Sequence, residues 1–256
     1  MLAPRDVLAH RRWLRCSWPF PHVAAYDVFV PEFHDAISCE LRTVLARGLS
    51  EHPDPDRLSR MNGYDAYGSA LTESSPEPLA LFISEGWRDL LADLFAVGRT
   101  PYVFAGIHHH LPGGRPGFIH NDCNPVWFPA ATEGIRLPDE TVCAYKSGEG
   151  SLAGVERAEV LRGVAMLYFL LNDDWRAEDG GETGLYASRE ARLAEPDLRF
   201  PPRSNTLIAF ECTPASFHAY LASPRRSRTS IIMWIHRPLR EGLAQFGADR
   251  IERWKR

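Results

Sequence analysis

His120 and Asp122 stand two positions apart at the end of the apolar run 117–120. On a strand both side chains point to one face and Asn121 turns away. An imidazole nitrogen beside a carboxylate oxygen is a donor pair for a borderline divalent metal. A further histidine, His218, lies far along the chain in Ala-Ser-Phe-His-Ala-Tyr-Leu. Two histidines and one carboxylate on one side of an ion suit non-haem Fe(II) and leave its other positions open. Ten residues after His218 comes Arg228, then Thr229 and Ser230. Arg228 and Ser230 share a strand face, and a guanidinium with a nearby hydroxyl is built to hold a carboxylate. Taken singly, His120 and Asp122 read as a polar strand end and Arg228 as a surface strand residue. The combination is far more specific than any part.

These residues need a rigid β framework. From about residue 101, short apolar runs recur between Gly, Pro and Asp: 102–111, 117–120, 142–146, 160–171, 183–187, 206–211, 216–221 and 228–236. That texture predicts an antiparallel sandwich or jelly roll rather than βαβ units. Before it, the pattern predicts a short helix around 5–15 and a strand at Tyr26–Val30. A helix over 32–49 follows, with Pro31 in its first turn and Phe33, Ile37, Leu41, Val44 and Leu45 on one stripe. Residues 50–75 read as a long loop of the kind that forms lids. A second helix is expected over 76–97, with Gly98 as its C-cap. Residues 241–256 read as an amphipathic helix with Leu243, Phe246, Ile251 and Trp254. The expected layout is one domain: helical support over 1–100, a jelly-roll core over 101–237 and a closing helix over 238–256.

The chain of 256 residues carries 29 Lys and Arg against 33 Asp and Glu, a formal net charge of −4. The charges are mixed along the chain, which argues against a nucleic-acid footprint. No apolar window is long enough to span a membrane. Five cysteines without a CxxC pair argue against a disulfide framework and for a reducing compartment. The first residues show no continuous apolar stretch and no small-residue cleavage site, so a cytoplasmic protein is expected.

Four stretches carry a resemblance to a known family. They are His110-Leu-Pro-Gly-Gly leading to His120-Asn-Asp122; Leu167-Tyr-Phe-Leu-Leu-Asn-Asp-Asp-Trp175; Gly180-Gly-Glu-Thr183; and His218 through Arg228 to Trp234. Together, over roughly residues 102–237, they resemble the Fe(II)- and 2-oxoglutarate-dependent dioxygenases, in particular the prolyl-4-hydroxylase-like branch. The resemblance implies a double-stranded β-helix preceded by helices. It makes His120, Asp122 and His218 the iron ligands and Arg228 the partner of the distal carboxylate of 2-oxoglutarate, with Ser230 as a second donor. Relatives often place a tyrosine just before the Pro-Gly turn to bind the cosubstrate. Here His110 or Leu111 holds that place, and Tyr168 is an alternative source of a hydroxyl. Of the three adjacent histidines, His108 and His110 share a face and His109 points away. One of that pair either faces the pocket or is a partly buried polar residue near the sheet edge.

The cofactors implied are Fe(II), 2-oxoglutarate and O2, with succinate and CO2 as co-products. Family members that halogenate lack the carboxylate ligand, so Asp122 favours hydroxylation or a related oxidation. The leading expectation is hydroxylation of a small molecule, an amino acid or specialised metabolite. Prolyl or peptidyl hydroxylation, a metal-binding sensor without turnover and a cupin-like dioxygenase without cosubstrate are the alternatives. The last leaves Arg228 and Ser230 unexplained. Residues 57–70 and 129–162 are candidate lids. Asn124, Trp127 and Tyr145 are candidate substrate contacts, Arg115 or Lys146 is a candidate partner for an anionic group, and each has loop packing or a solvated charge as its simpler reading.

Overall fold

The structure is a computed structural model that describes residues 3–150, 152 and 154–253. In chain order the elements are α1 (Pro4–Val7), β1 (Leu14–Cys16), β2 (His22–Tyr26), α2 (Pro31–Ala46), β3 (Leu49–Ser50), β4 (Leu58–Arg60), β5 (Tyr67–Ala70) and α3 (Glu85–Phe95). Then come β6 (Val103–His110), β7 (Pro125–Pro129), β8 (Arg157–Leu170), β9 (Thr183–Tyr186), β10 (Leu198–Phe200), β11 (Thr206–Glu211), β12 (Phe217–Tyr220), β13 (Arg228–Pro238) and α4 (Leu239–Phe246). The fold is mainly β with few helices.

Two sheets face each other. The large one runs β1-β2-β11-β8-β13-β6-β5-β4-β3, with β7 pairing the first part of β8; the small one runs β10-β9-β12. Its centre is β8 and β13, each a long run of buried residues. Strand period two divides their side chains. Leu167, Phe169, Ile232 and Trp234 face the small sheet together with Ile208, Phe210 and Leu185. Met166, Tyr168, Ile231 and Met233 face the other way, onto a core shared with Phe33, Ile37, Leu41, Trp87 and Leu91 of α2 and α3. The helices therefore back one face of the large sheet, and the other face is left to form a cavity against the small sheet.

Local chemistry explains where the elements depart from expectation. Helix α2 begins at Pro31, whose missing N–H is no loss in a first turn. The second helix is broken: a 3-10 turn over Leu79–Ile83 ends where the Ser84 hydroxyl accepts the Trp87 N–H at 3.2 Å and caps α3. That helix closes at Ala96, in the left-handed region at φ 53°, rather than at Gly98. Gly98 instead abuts Glu241, whose side chain would collide with any Cβ there. Tyr26 ends a strand rather than beginning one. The first hundred residues hold five short strands besides their helices, and β4 and β5 turn the expected 50–75 loop into the sheet's flank. Residues 142–146 are turn, not strand. The closing helix stops at Phe246, and a 3-10 turn over Ala248–Arg250 follows; Trp254 lies outside the described residues. Gly180 and Gly181 adopt φ 70° and 83° before β9. A Cβ on Gly180 would meet the Ala222 carbonyl oxygen at 2.6 Å, so this reversal requires glycine.

Candidate metal centre and its cavity

His120 and His218 face each other across a two-residue antiparallel bridge. The His120 N–H donates to the His218 carbonyl at 3.1 Å, and the His218 N–H donates back at 2.8 Å. Directly opposite residues of such a pair put their side chains on one face, and the ring centroids lie 4.3 Å apart. Each imidazole is oriented by the backbone two residues upstream. His120 Nδ1 lies 2.8 Å from the Phe118 carbonyl, and His218 Nδ1 lies 3.0 Å from the Ser216 carbonyl. A carbonyl only accepts, so each Nδ1 carries the proton and each Nε2 presents its lone pair.

Asp122 completes the cluster by a different route from strand alternation. Residues 121–124 are not strand, and Asp122 has φ 57°. The Asn121 side chain accepts the Cys123 N–H at 3.0 Å and so bends the chain locally. The left-handed kink swings the Asp122 carboxylate under both rings, 3.8 Å from His120 Nε2 and 3.5 Å from His218 Nε2. The donor atoms of all three residues lie within 4.8 Å of one another. Burial alone would raise the Asp122 carboxyl, but the Arg162 guanidinium and the two imidazoles hold it well below the usual carboxylate range. Burial, with His218 adjacent, pushes the His120 imidazole down to about 4. Two imidazoles that each turn Nε2 inward and an ionised carboxylate, gathered on one side of a point, fit a divalent iron.

The triad opens into a cavity of about 700 Å³ between the sheets. Arg228 lies at its far end, on the first residue of β13, paired in register with His110; Ser230 is paired with His108. Arg228 is only 3 % exposed. Its Nη2 donates to Thr183 Oγ1 at 3.1 Å, its Nε has no hydrogen-bond partner, and it pairs with no carboxylate among the described residues. Burial lowers its guanidinium to about 10. A buried guanidinium without an anion is costly unless an anion arrives. His110 stacks on Tyr220 with centroids 3.8 Å apart, and its buried Nδ1 is likewise without a partner. Burial, then Arg228, pushes His110 down to about 2. His108 and Ser230 also line this end, whereas His109 turns to the opposite face and meets Thr229 Oγ1 at 2.9 Å.

Several residues singled out from the sequence lie elsewhere. Tyr168 sits opposite Ile231, one position out of phase with Ser230, so it enters the helix-side core. Its hydroxyl lies 2.7 Å from His34 Nδ1 and 3.2 Å from Asn205 Oδ1, and it cannot serve the cavity. Asn124 does not line the cavity: its amide donates to the Glu252 carbonyl at 2.6 Å. Trp127 is also outside it, packed beneath Arg157. Tyr145 does line the cavity, stacked on Phe104 at 5.4 Å. Arg115 and Lys146 reach its rim with Met61, Tyr64 and Phe118. Arg162 was not anticipated. It is 4 % exposed and donates to Asp122 Oδ1 at 2.5 Å, and its signal was a lone charge inside the apolar run Val160 to Val164. Thr183 and Tyr220 were also missed as neighbours of Arg228.

Residues 141–236 match the family model of the 2OG-Fe(II) oxygenase superfamily. That segment of the chain is similar to the 2OG-Fe(II) oxygenases. The match takes in His218 and Arg228, while His120 and Asp122 precede it. Among solved structures, the oxygenase is similar in fold to a prolyl-4-hydroxylase from Pseudomonas putida, with TM-score 0.53 and 17 % identity over 84 % of this chain and 92 % of that one. A prolyl hydroxylase from Trichoplax adhaerens, solved in complex with a hypoxia inducible factor oxygen degradation domain peptide fragment, gives TM-score 0.52 and 12 % identity over 88 % and 86 %. At these identities the likeness establishes the fold, a prolyl-4-hydroxylase-like jelly roll. No curated protein sequence matches the chain significantly. The oxygenase is a dioxygenase of the class that uses Fe(II), 2-oxoglutarate and O2, and its His-Asp-His cluster fits the iron. No helix among the described residues is long and apolar enough to cross a membrane.

Proposed function

We propose that the oxygenase hydroxylates an unactivated C–H bond of a peptide-borne residue, a prolyl residue foremost, while 2-oxoglutarate is converted to succinate. The observation that carries the cosubstrate assignment is Arg228: a buried cation with an orphaned Nε, in the same cavity as the metal cluster. In this reading His120 and His218, through Nε2, and the Asp122 carboxylate would hold Fe(II). Arg228 takes the distal carboxylate of 2-oxoglutarate, with Thr183 and Ser230 beside it and His110 Nδ1 as a further polar contact. When bound, the iron and cosubstrate supply oxidative decarboxylation of 2-oxoglutarate by O2, which provides the oxygen atom for the substrate. Leu167, Ile232 and Phe104 line the cavity with apolar surface, which keeps water from the reacting centre. The prolyl assignment rests on the substrates named for the proteins of similar fold. A free amino acid or specialised metabolite is the second reading. It is favoured by the stacked pair Tyr64 and Phe118, 6.1 Å between centroids, an aromatic surface in the cavity lining on which a small ligand can pack. The five cysteines are all free, which suits a reducing compartment such as the cytoplasm.

The test is to add Fe(II) and 2-oxoglutarate anaerobically and look for the weak visible charge-transfer band of the chelate. The band is expected for the parent protein and is lost in His120→Ala and His218→Ala. Absence of the band, with no succinate formed in air, overturns the proposal. Proline-containing peptides and free amino acids are then compared for the extra succinate they elicit. Stimulation by free amino acids alone reverses the order of the two substrate readings.

A further inference from the structure

Asp122 is held by a chain of hydrogen bonds that links its carboxylate to a backbone carbonyl. His236 Nδ1 lies 2.9 Å from the Tyr102 carbonyl, so Nδ1 carries the proton and donates. His236 is 1 % exposed, and burial pushes it down to about 3, so it is neutral and Nε2 accepts. The Tyr145 hydroxyl, 3.0 Å away, must therefore donate to that Nε2, which turns its oxygen lone pairs toward Arg162. Arg162 Nε donates to that oxygen at 3.4 Å, and Arg162 Nη1 donates to Asp122 Oδ1 at 2.5 Å. On the opposite side Trp234 Nε1 donates to Asp122 Oδ2 at 2.9 Å, and the Arg162 guanidinium lies over the Trp234 ring at 4.1 Å. Each bond in this series has one direction only.

We propose that Arg162 is a positioning residue for the metal centre, oriented by Tyr145 and His236, and that with Trp234 it restricts Asp122 to one fixed orientation toward the ion. The inference rests on the metal assignment above and deepens it. Two donors, one on each carboxylate oxygen, take one lone pair of each and resist rotation of the group. Tyr145 comes from the turn 142–146, which also supplies Ala144 and Lys146 to the cavity lining. Displacement of that turn would therefore reach the ligand through one hydroxyl, without touching the metal.

The experiment uses Co(II), whose visible spectrum reports coordination number and needs no turnover. The parent protein is titrated with Co(II) beside Tyr145→Phe, Arg162→Met and Trp234→Phe, with thermal unfolding recorded for each metal-free variant. Arg162→Met is expected to weaken Co(II) about 10- to 100-fold, as loss of such outer contacts does. Tyr145→Phe keeps the ring against Phe104 and removes only the hydroxyl. It is expected to weaken Co(II) several-fold and to change the intensity of the visible bands, while the metal-free variant stays folded with an unfolding temperature lower by no more than a few degrees. If Tyr145→Phe and Trp234→Phe both match the parent in affinity and spectrum, the positioning role is wrong even where Arg162→Met fails to fold. If the parent itself takes no Co(II), it is the metal assignment that fails, and the two failures are thereby distinguished.

Discussion

Arg228 is the residue on which the proposed cosubstrate site depends most. Its side chain donates to a neutral hydroxyl, Thr183 Oγ1, and the ring faces of Phe169 and Tyr220 lie 4.9 and 5.0 Å from its Cζ. Aromatic faces ease the burial of a cation but do not neutralise it. A dianionic cosubstrate would supply what the protein withholds. Truncating one member of a buried charge pair removes about 2–4 kcal/mol, so Arg228→Ala is expected to raise the Kd for 2-oxoglutarate roughly 30- to 1000-fold. Co(II) affinity should change little, because Arg228 touches none of the three metal-cluster residues. Ser230→Ala removes one neutral hydrogen bond and should cost about fivefold. Calorimetric titration of the metal-loaded variants measures both, and an unchanged Kd in Arg228→Ala sinks the assignment. The same comparison shows what isolated residue types could reveal. The grouping of His120, Asp122, His218 and Arg228 was readable because spacing and chemistry agreed. Arg162 was not, because a lone arginine in an apolar run does not announce which carboxylate it meets.

Strand parity decides which candidates reach the cavity, and Tyr168 illustrates how. Along β8 the odd positions Leu167 and Phe169 face the small sheet, while Tyr168 faces α2. The sequence placed a strand there correctly, but its phase is set by pairing with β13, where Ser230 opposes Phe169 and Ile231 opposes Tyr168. That register depends on contacts 60 residues apart, and a one-residue slip reverses every side chain. Tyr168→Phe should therefore leave 2-oxoglutarate binding untouched and instead loosen the helix-side core. Its hydroxyl meets His34 and Asn205, and Asn205 in turn bonds the Phe29 N–H and carbonyl at 3.0 and 2.9 Å. Losing that junction should cost about 1–2 kcal/mol, or a fall of a few degrees in Tm for a chain of this size. A raised Kd for the cosubstrate with Tm unchanged would restore Tyr168 to the cavity. The helices backing this core were largely legible, because Phe33, Ile37 and Leu41 repeat at helical spacing. The short strands β3, β4 and β5 were not, since two to four residues carry no period, and they form by pairing in series outward from the edge of β6.

Taken as a whole, the molecule buries an unusual set of neutral imidazoles between its two sheets and behind them. Burial is the main cause in each case, and it lowers His108 and His120 to about 4, His236 to about 3 and His110 to about 2. In the unfolded chain each has the ordinary histidine value near 6.5. Between that value and its folded value, each group binds a proton only when the protein unfolds. Acidification therefore favours unfolding across this range, and stability rises with pH and is fully present above about 6.5. Each imidazole contributes on the order of 1 kcal/mol per pH unit inside its window, so four together are worth several kcal/mol between pH 6.5 and 5. The depressed Asp122 carboxyl acts in the same direction, but its contribution is lost only below the ordinary carboxylate range, outside that window. Chelator-stripped protein should thus lose Tm steeply from pH 7 to 5, and saturating Co(II) should add stability that shrinks as protons compete for the ligand imidazoles. His236→Gln keeps a side-chain donor and acceptor without the titrating ring, and should flatten the profile by about one imidazole's share. A Tm that stays level from pH 7 to 5 in the metal-free protein would show that these rings open to water, and with them the cavity that the proposed chemistry requires to be dry.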